Sequence, residues 1–419
     1  MGRSAHQVTT RNLGVAYPFA TEPGLGVDGV LIGRDLVGGA FEYDPFRLYA
    51  GGLLTNPNMV VIGQIGRGKS AFVKSYLWRH AAFGRSAWVV DPKGEYQGLA
   101  AAWGVTPLSL RPGGAVRLNP LDVPARDDSP DRTRAELLCS ILAASLRRQV
   151  VPSERTAVEL AVAAVAARRT APPATIPDVV QAMLDPSEDS ARSVHSDARA
   201  LAADGRQVAL ELRRLVAGDM RGMFDAPTTL GIDLSSSLVV LDLSALFHSA
   251  ALEVLMTCAL AWMQAALGAY GSTGSRKGSI VVIDEAWAVL KSVAVARWLQ
   301  SSWKLSRAWG VSNVAVLHRL SDLTAVGAAG SEQVGLAEGL LSDSETRVIY
   351  AQSPGEVERA GALLGLNDTE SELVPQLGRG IALWKVAGRS FLVQHMLGRA
   401  EHALVDTDGA LRPAGGMAG

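Results

Sequence analysis

Cysteine is nearly absent from this chain: its 419 residues hold two, Cys139 and Cys258, both in apolar, helix-like stretches. They permit one disulfide or none and no metal framework, which points to a reducing, cytosolic compartment. Aromatics are scarce at 6%, and charged residues reach 19%, against ~25% in ordinary soluble domains. Neither sign of charge prevails. Forty Lys and Arg face 41 Asp and Glu, which excludes a polybasic nucleic-acid coat and an acidic tail protein. Lysine itself is rare, 7 against 33 arginines, a bias that carries no information about fold. The first residues, MGRSAHQVTTRN, lack the apolar stretch of a secretory signal. Long apolar runs are missing too, except 254–271 (VLMTCALAWMQAALGAYG), close to the ~20 residues that span a bilayer. Thr257 and Gln264 inside it, Glu253 just before it and a strand signal soon after favour a core helix. No 20–50-residue repeat is visible, which excludes a solenoid.

What is present is core material. Hydrophobic residues make up 48%, enough to exclude disorder for the bulk of the chain, and the length allows two to three domains at ~150 residues each. Five short β-branched runs stand out: 59–63 (MVVIG), 87–91 (AWVVD), 238–243 (LVVLDL), 280–284 (IVVID) and 311–317 (VSNVAVL). Each is continuously apolar, as in strands buried on both faces of a parallel sheet, and most are followed by helical stretches. The pattern predicts a three-layer α/β domain. Between about 130 and 225 it changes to helical periodicity alone, over 135–146, 154–168, 176–184 and 194–216. Near the end, 381–386 and 390–395 flank a short Ala387-Gly388-Arg389 turn and read as a β-hairpin. The expected division is an N-terminal extension packing on the core (1–58), an α/β domain (59–129 and 226–410), an all-helical insertion (130–225) and a loose tail (411–419).

The chemistry starts after the first strand. Gly63-Gln64-Ile65-Gly66-Arg67-Gly68-Lys69-Ser70 fits G-x-x-x-x-G-K-[ST], with a strand before it and a helix after it. The glycines allow a concave nest of N–H groups, and the helix start adds its positive dipole end. This P-loop, residues 63 to Ala71, predicts a site for ATP. Lys69 reaches the β/γ-phosphates and Ser70 holds Mg²⁺. A P-loop should be answered by acid at the end of another buried strand, and Ile280-Val281-Val282-Ile283-Asp284-Glu285 supplies it. Asp284 is the second expected Mg²⁺ residue. Glu285 stands where P-loop ATPases with an added central strand carry the base that polarises the attacking water; the plainer alternative is a helix cap.

In order along the chain, NPNMVVIGQIGRGKS (56–70), VVDPKGEY (89–96), RLNPLD (117–122), LVVLDLS (238–244), VVIDEAW (281–287), SRAWG (306–310) and AVLHRLSDL (315–323) resemble the HerA–FtsK group of P-loop motor ATPases. Within it they are most similar to the VirB-type assembly ATPases of conjugation and type IV secretion, the fourth component of those machines. The resemblance covers most of 25–405 and implies a RecA-like fold: a mostly parallel central sheet, a helical insertion and a C-terminal hairpin. It also implies a ring, usually hexameric, with ATP between neighbours and an arginine supplied in trans. Arg307 in SRAWG is the first candidate, Arg347 the second and Arg319 the third; an ordinary surface or ion-paired arginine is the alternative for Arg307. Asp91 and Glu95 of DPKGEY are expected at the tip of the strand next to the P-loop strand. There they place water or metal, or form a turn and cap, with Lys93 partly neutralising them.

Two departures accompany the resemblance. Such motors generally carry a γ-phosphate-sensing glutamine after the strand that follows the acidic pair, and here that place falls on His318 or its neighbour; a strand-end histidine without a sensing role is the alternative. They also usually carry a large N-terminal domain, whereas some 58 residues precede the P-loop strand. This is either a minimal member or the motor portion alone. The leading functional expectation is an ATP-hydrolysing assembly motor, cytoplasmic or peripheral at the inner face of the cell membrane, working with secretion machinery. The alternatives are a DNA translocase or coupling ATPase, and a nucleotide-gated structural subunit with little turnover. DNA as a partner rests on the resemblance, not on composition.

Overall fold

The structure, a computed structural model, describes residues 24–26, 28–122, 129–168, 173–229, 236–249, 251–271, 278–287, 296, 299–300, 303–304, 306–307, 309–319 and 332–405. The expected loose tail, 411–419, lies outside the described residues.

In chain order the elements are β1 (Val30–Asp35), β2 (Ala40–Tyr43), α1 (Pro45–Ala50), β3 (Met59–Ile62), α2 (Lys69–Ala82), β4 (Ser86–Asp91), α3 (Gln97–Trp103) and β5 (Leu108–Ser109). A run of helices follows: α4 (Pro130–Leu146), α5 (Pro152–Ala167), α6 (Ile176–Leu184), α7 (Glu188–Ser193) and α8 (Ala198–Ala217). Then come β6 (Leu238–Asp242), α9 (Leu252–Gly271), β7 (Ser279–Ile283), β8 (Val311–Leu317), α10 (Glu332–Ser342), β9 (Thr346–Tyr350), α11 (Pro354–Ala360), α12 (Asp368–Leu373), β10 (Ile381–Val386), β11 (Arg389–His395) and α13 (Arg399–Val405).

All the strands join one sheet of order β2-β1-β11-β10-β9-β3-β8-β7-β4-β6-β5. From β9 to β5 every pairing is parallel, and from β9 to β2 every pairing is antiparallel. Within the parallel part, β3, β4, β6, β7 and β8 are the apolar runs of the sequence, buried because both of their faces are covered. Val60, Ile62, Trp88, Val90, Val281 and Ile283 point to a core shared with α9 and the helices α4–α8. Their alternates Met59, Val61, Val89, Ile280 and Val282 point to a second core containing α2.

The sheet order corrects one expectation. β4, which carries Asp91 at its end, is not beside the P-loop strand β3; β8 and β7 lie between them. The hairpin turn is also shorter than expected. Ala387 and Gly388 alone form it, with φ of 48° and 79°, and Arg389 already pairs with Val386. Two left-handed residues give the turn whose twist matches the strands. The N-terminal stretch enters the sheet itself, β1 pairing with β11 and β2 forming the edge. The uncharged run 254–271 lies within α9, where Leu255, Met256, Cys258 and Ala259 are fully buried. Among the described residues no helix is long and apolar enough to cross a membrane. Both cysteines are buried and free.

The few aromatics are concentrated where the P-loop helix needs support. Phe41 and Tyr43 on β2, Phe72 and Tyr76 on α2, and Trp384 and Phe391 on the hairpin pack with centroids 5.1–6.3 Å apart. Such contacts contribute about 0.5–1.5 kcal/mol per pair beyond area burial. Polar ties complete the anchorage of α2. The Arg79 guanidinium donates to both Glu401 carboxylate oxygens (2.7 and 2.6 Å), to the carbonyls of Leu31 and Ile32, and to that of Met396. It thus joins α2 to β1 and to α13. Removing it strands a mostly buried carboxylate and several carbonyls, so Arg79→Ala should destabilise the protein by about 2–4 kcal/mol. Differential scanning calorimetry would show this as a melting temperature lowered by several degrees, and an unchanged one would contradict the anchoring role.

Candidate active site

The P-loop follows β3 with the backbone its glycines allow. Gly66 and Gly68 have φ of 77° and 113°, and Gly68 caps the start of α2. Gly63 is required for a different reason: a Cβ there would lie 2.4 Å from the Tyr350 Cβ on β9. Gln64 is held from both sides, its N–H donating to the Ala351 carbonyl (3.0 Å) and its side-chain oxygen accepting from Arg67 (3.4 Å). Arg67 in turn accepts at its carbonyl from the N–H of Gly380 (2.9 Å), which ties the loop to the start of β10. Ile65 is exposed at the tip. Lys69 is 4% exposed, and its ammonium donates to the carbonyls of Gly63 and Gln64. Burial pushes its pKa down to about 8, against the pull of Asp284 and Glu285. A buried ammonium whose hydrogen-bond acceptors among the described residues are loop carbonyls is suited to an incoming anion.

Across β8 stands the acidic pair. Asp284 and Glu285 follow β7, 6% and 2% exposed. Burial, then Glu285, Glu95 and Asp91, push the Asp284 carboxyl up to about 7. Glu285 goes the other way. Burial works upward there too, but hydrogen bonds from His318 and Lys93 outweigh it and hold the carboxyl at about 2. Its Oε1 pairs with the Lys93 ammonium and lies 2.5 Å from His318 Nε2, while Oε2 accepts from the Trp287 indole. The Glu285 backbone is left-handed, φ 53°, a conformation that disfavours a branched or bulky side chain and is sustained here by its surroundings.

A cavity of about 600 Å³ joins the two halves, lined by Ile65, Gly66, Gly68, Lys69, Ser70 and Ala71 of the loop and by Lys93, Glu95 and His318 opposite. The structure therefore brings together the P-loop residues, Glu95 and His318 on one cavity, with Asp284 and Glu285 behind it. Asp91 differs. Its Oδ1 accepts from the N–H groups of Lys93, Gly94 and Glu95 and its Oδ2 from that of Tyr96, at 2.8–3.3 Å. The carboxylate expected to contact the nucleotide is occupied in capping the turn before α3, the other role left open for it. Arg307 is exposed near the start of β8, where it donates to the Thr55 carbonyl (3.4 Å), at the end of the sheet away from the P-loop. Arg347 on β9 is committed to the carbonyls of Leu364 and Leu341. Arg319 directly follows His318 and is exposed.

Lys93, expected to neutralise Asp91 and Glu95, instead holds Glu285. Two residues not singled out from sequence also belong near the site. Arg379, exposed, lines the cavity beside Gly380. Gln352, just past β9, donates to the His318 carbonyl (3.2 Å), while its own side-chain oxygen is buried without a partner among the described residues. The signal for Gln352 was an amide directly after the apolar run VIYA.

The residues fit a nucleotide with a divalent cation. A nest, a desolvated lysine and a carboxyl held protonated by burial and by neighbouring acids are what phosphate and Mg²⁺ would relieve. Among the described residues no group of three or more His, Cys, Asp or Glu could hold a metal by itself. Mg²⁺ needs no such cage, since it is typically shared by one or two protein ligands, phosphates and water.

A P-loop strand separated from the acidic strand by one inserted strand defines a RecA-like P-loop NTPase fold. No family model and no curated protein sequence matches the chain. Solved structures share its fold. That of VirB4 from Thermoanaerobacter pseudethanolicus superposes with a TM-score of 0.74 at 21% identity, covering 89% of this chain and 98% of that one. The bacterial conjugative coupling protein TrwBΔN70 gives 0.56 at 15% identity over 89% of each chain. TrwB in complex with ADP and Mg²⁺ gives 0.57 at 15% identity, over 82% of this chain and 85% of that one.

The raised Asp284 value fixes the sign of a pH effect. A native pKa of about 7 against 3.8 means that the folded state binds this proton more tightly than the unfolded chain. Stability from this group is therefore lost as pH rises from about 4 through 7. Asp284→Asn should raise the melting temperature by a few degrees at pH 8 and by much less at pH 5. Equal shifts at both pH values would contradict the assignment.

Proposed function

We propose that this chain is an ATP-hydrolysing motor of a conjugative or type IV secretion system. The observation that carries the reading is the Walker-type phosphate nest facing Asp284 and Glu285 across β8. The similarity to VirB4 and TrwB structures supports the biological setting. Lys69 neutralises phosphate charge, and Ser70 and Asp284 hold Mg²⁺. That ion, when bound, offsets the charge of the transferring phosphoryl group. Glu285 orients the attacking water, and His318, at the end of the strand between the two halves, stands in the place of the γ-phosphate sensor. Gly63, Gln64, Ile65, Gly66, Arg67, Gly68 and Ala71 shape the nest, and Glu95 faces it.

Arg307 acts in trans. It is exposed and lies away from its own nucleotide site, as an arginine serving a neighbour must be. Arg347 is the weaker choice because its guanidinium is engaged within the subunit. The reading includes self-association into a ring, hexameric as in the resembling motors, and docking on membrane-associated secretion machinery. The helices of 130–225 form an insertion in the nucleotide-binding unit.

The test is steady-state ATPase activity across protein concentration, with and without DNA. Turnover per subunit should rise with concentration and ignore DNA. It should fall at least about 100-fold in Glu285→Gln and in Lys69→Ala. Strong DNA stimulation would favour the coupling-type translocase that the TrwB likeness keeps in view. Tight ATP binding without turnover would replace the motor by a nucleotide-gated subunit.

A further inference from the structure

Lys93 lies between β4 and α3, in the turn capped by Asp91, yet its ammonium reaches across to the carboxylate after β7. Glu285 Oε1 is approached by the Lys93 ammonium and by His318 Nε2, which lie 3.2 Å from each other on the same side of it, and Oε2 accepts from Trp287. A carboxylate oxygen offers about two acceptor positions, and the Lys93 ammonium takes the one on the side of the phosphate cavity, so a water there has to displace it. The two sides of the ion pair differ in freedom. The Glu285 side chain is 2% exposed and sits on a constrained backbone, while that of Lys93 is 27% exposed and lines the phosphate cavity with Lys69 and Ser70. The Phe247 ring, 5.6 Å from the ammonium, keeps an aromatic face beside it.

We propose that Lys93 is a positioning residue that holds Glu285 away from the attacking water, and that the γ-phosphate of a bound nucleoside triphosphate draws it off. The inference rests on the reading of Glu285 as the water-orienting carboxylate. A triphosphate places additional anionic charge in the cavity that Lys93 already faces, and a lysine exchanges one acceptor for another by rotating a flexible stem. Leaving the ion pair costs binding free energy, so triphosphate affinity and the Lys93–Glu285 contact are coupled. A diphosphate, without the γ-phosphate, leaves the contact in place.

The coupling is measurable without turnover. Binding of Mg²⁺ with adenylyl imidodiphosphate, and separately with ADP, would be titrated calorimetrically in the full chain, Glu285→Gln, Lys93→Met and the double variant. Lys93→Gln serves as a second probe should Lys93→Met fold poorly. Expected is a tightening of the triphosphate analogue by at least about fivefold on Glu285→Gln in the parent chain. In the Lys93→Met background the same substitution should change affinity by no more than about twofold. ADP should show neither effect. Equal tightening in both backgrounds, or the same pattern with ADP, would overturn the proposal. Absence of binding of either nucleotide to any variant would instead overturn the nucleotide-site reading beneath it.

Discussion

Insertion of β8 between β3 and β7 is the constraint on which the site depends. Parallel pairing sets Ile62 against Leu317 and Ile283 against Ala315. The strand carrying the phosphate nest and the strand carrying the acids are thus two interstrand steps apart, about 10 Å. That separation sets the P-loop and the acids on opposite sides of β8, with His318, the residue that follows β8, lining the cavity between. Neither the glycines nor the acids could set this spacing alone. It comes from backbone hydrogen bonds, which is why the site has to be built on buried parallel strands rather than on loops.

Once the spacing is set, charge becomes the difficulty. Asp284 and Glu285 are adjacent, buried and of like sign, so both cannot ionise freely. Their surroundings separate them. Glu285 has two cationic or imidazole donors and is held near 2, while burial, reinforced by Glu285, Glu95 and Asp91, lifts Asp284 to about 7. Opposed shifts on neighbouring carboxylates mark a division of labour. The one that is ionised but occupied is the candidate for orienting water. The one that retains its proton near neutrality is the candidate for a metal, whose charge would favour giving that proton up.

What was legible in the sequence was what is local in the chain. The nest and the acidic pair each lie within a few residues of a strand, and strands buried on both faces declare themselves by continuous apolar runs. β9 did not, because Arg347 interrupts it, and β1 and β2 did not, because edge strands need no continuous apolar run. Sheet order was not legible either. Successive parallel strands are usually neighbours, so β4 was expected beside β3; the intervening β8 and β7 come from chain more than a hundred residues later. The same non-locality hid the partner of Lys93, which sequence reading set against Asp91 and Glu95. Its partner Glu285 is brought to it only by the β4–β7 pairing. Asp91 was ambiguous for a different reason: capping and ligand binding require the same carboxylate, and only the four N–H groups around it decide between them.

The distribution of basic residues follows from these demands. Arginine, the common cation here, holds the frame: Arg79 joins α2 to β1 and α13, and Arg85 pairs with the fully buried Asp44. Its planar fork suits several fixed acceptors at once and makes it a poor choice for a group that must change partners. Lysine is rare, yet Lys69 and Lys93 both line the phosphate cavity and Lys74 lies further along α2, over the Tyr96 ring. A point charge on a flexible stem can rest on loop carbonyls or on a carboxylate and transfer to phosphate without breaking a bidentate geometry. In a chain so biased toward arginine, lysine at these two cavity positions follows the chemistry of the site rather than the composition.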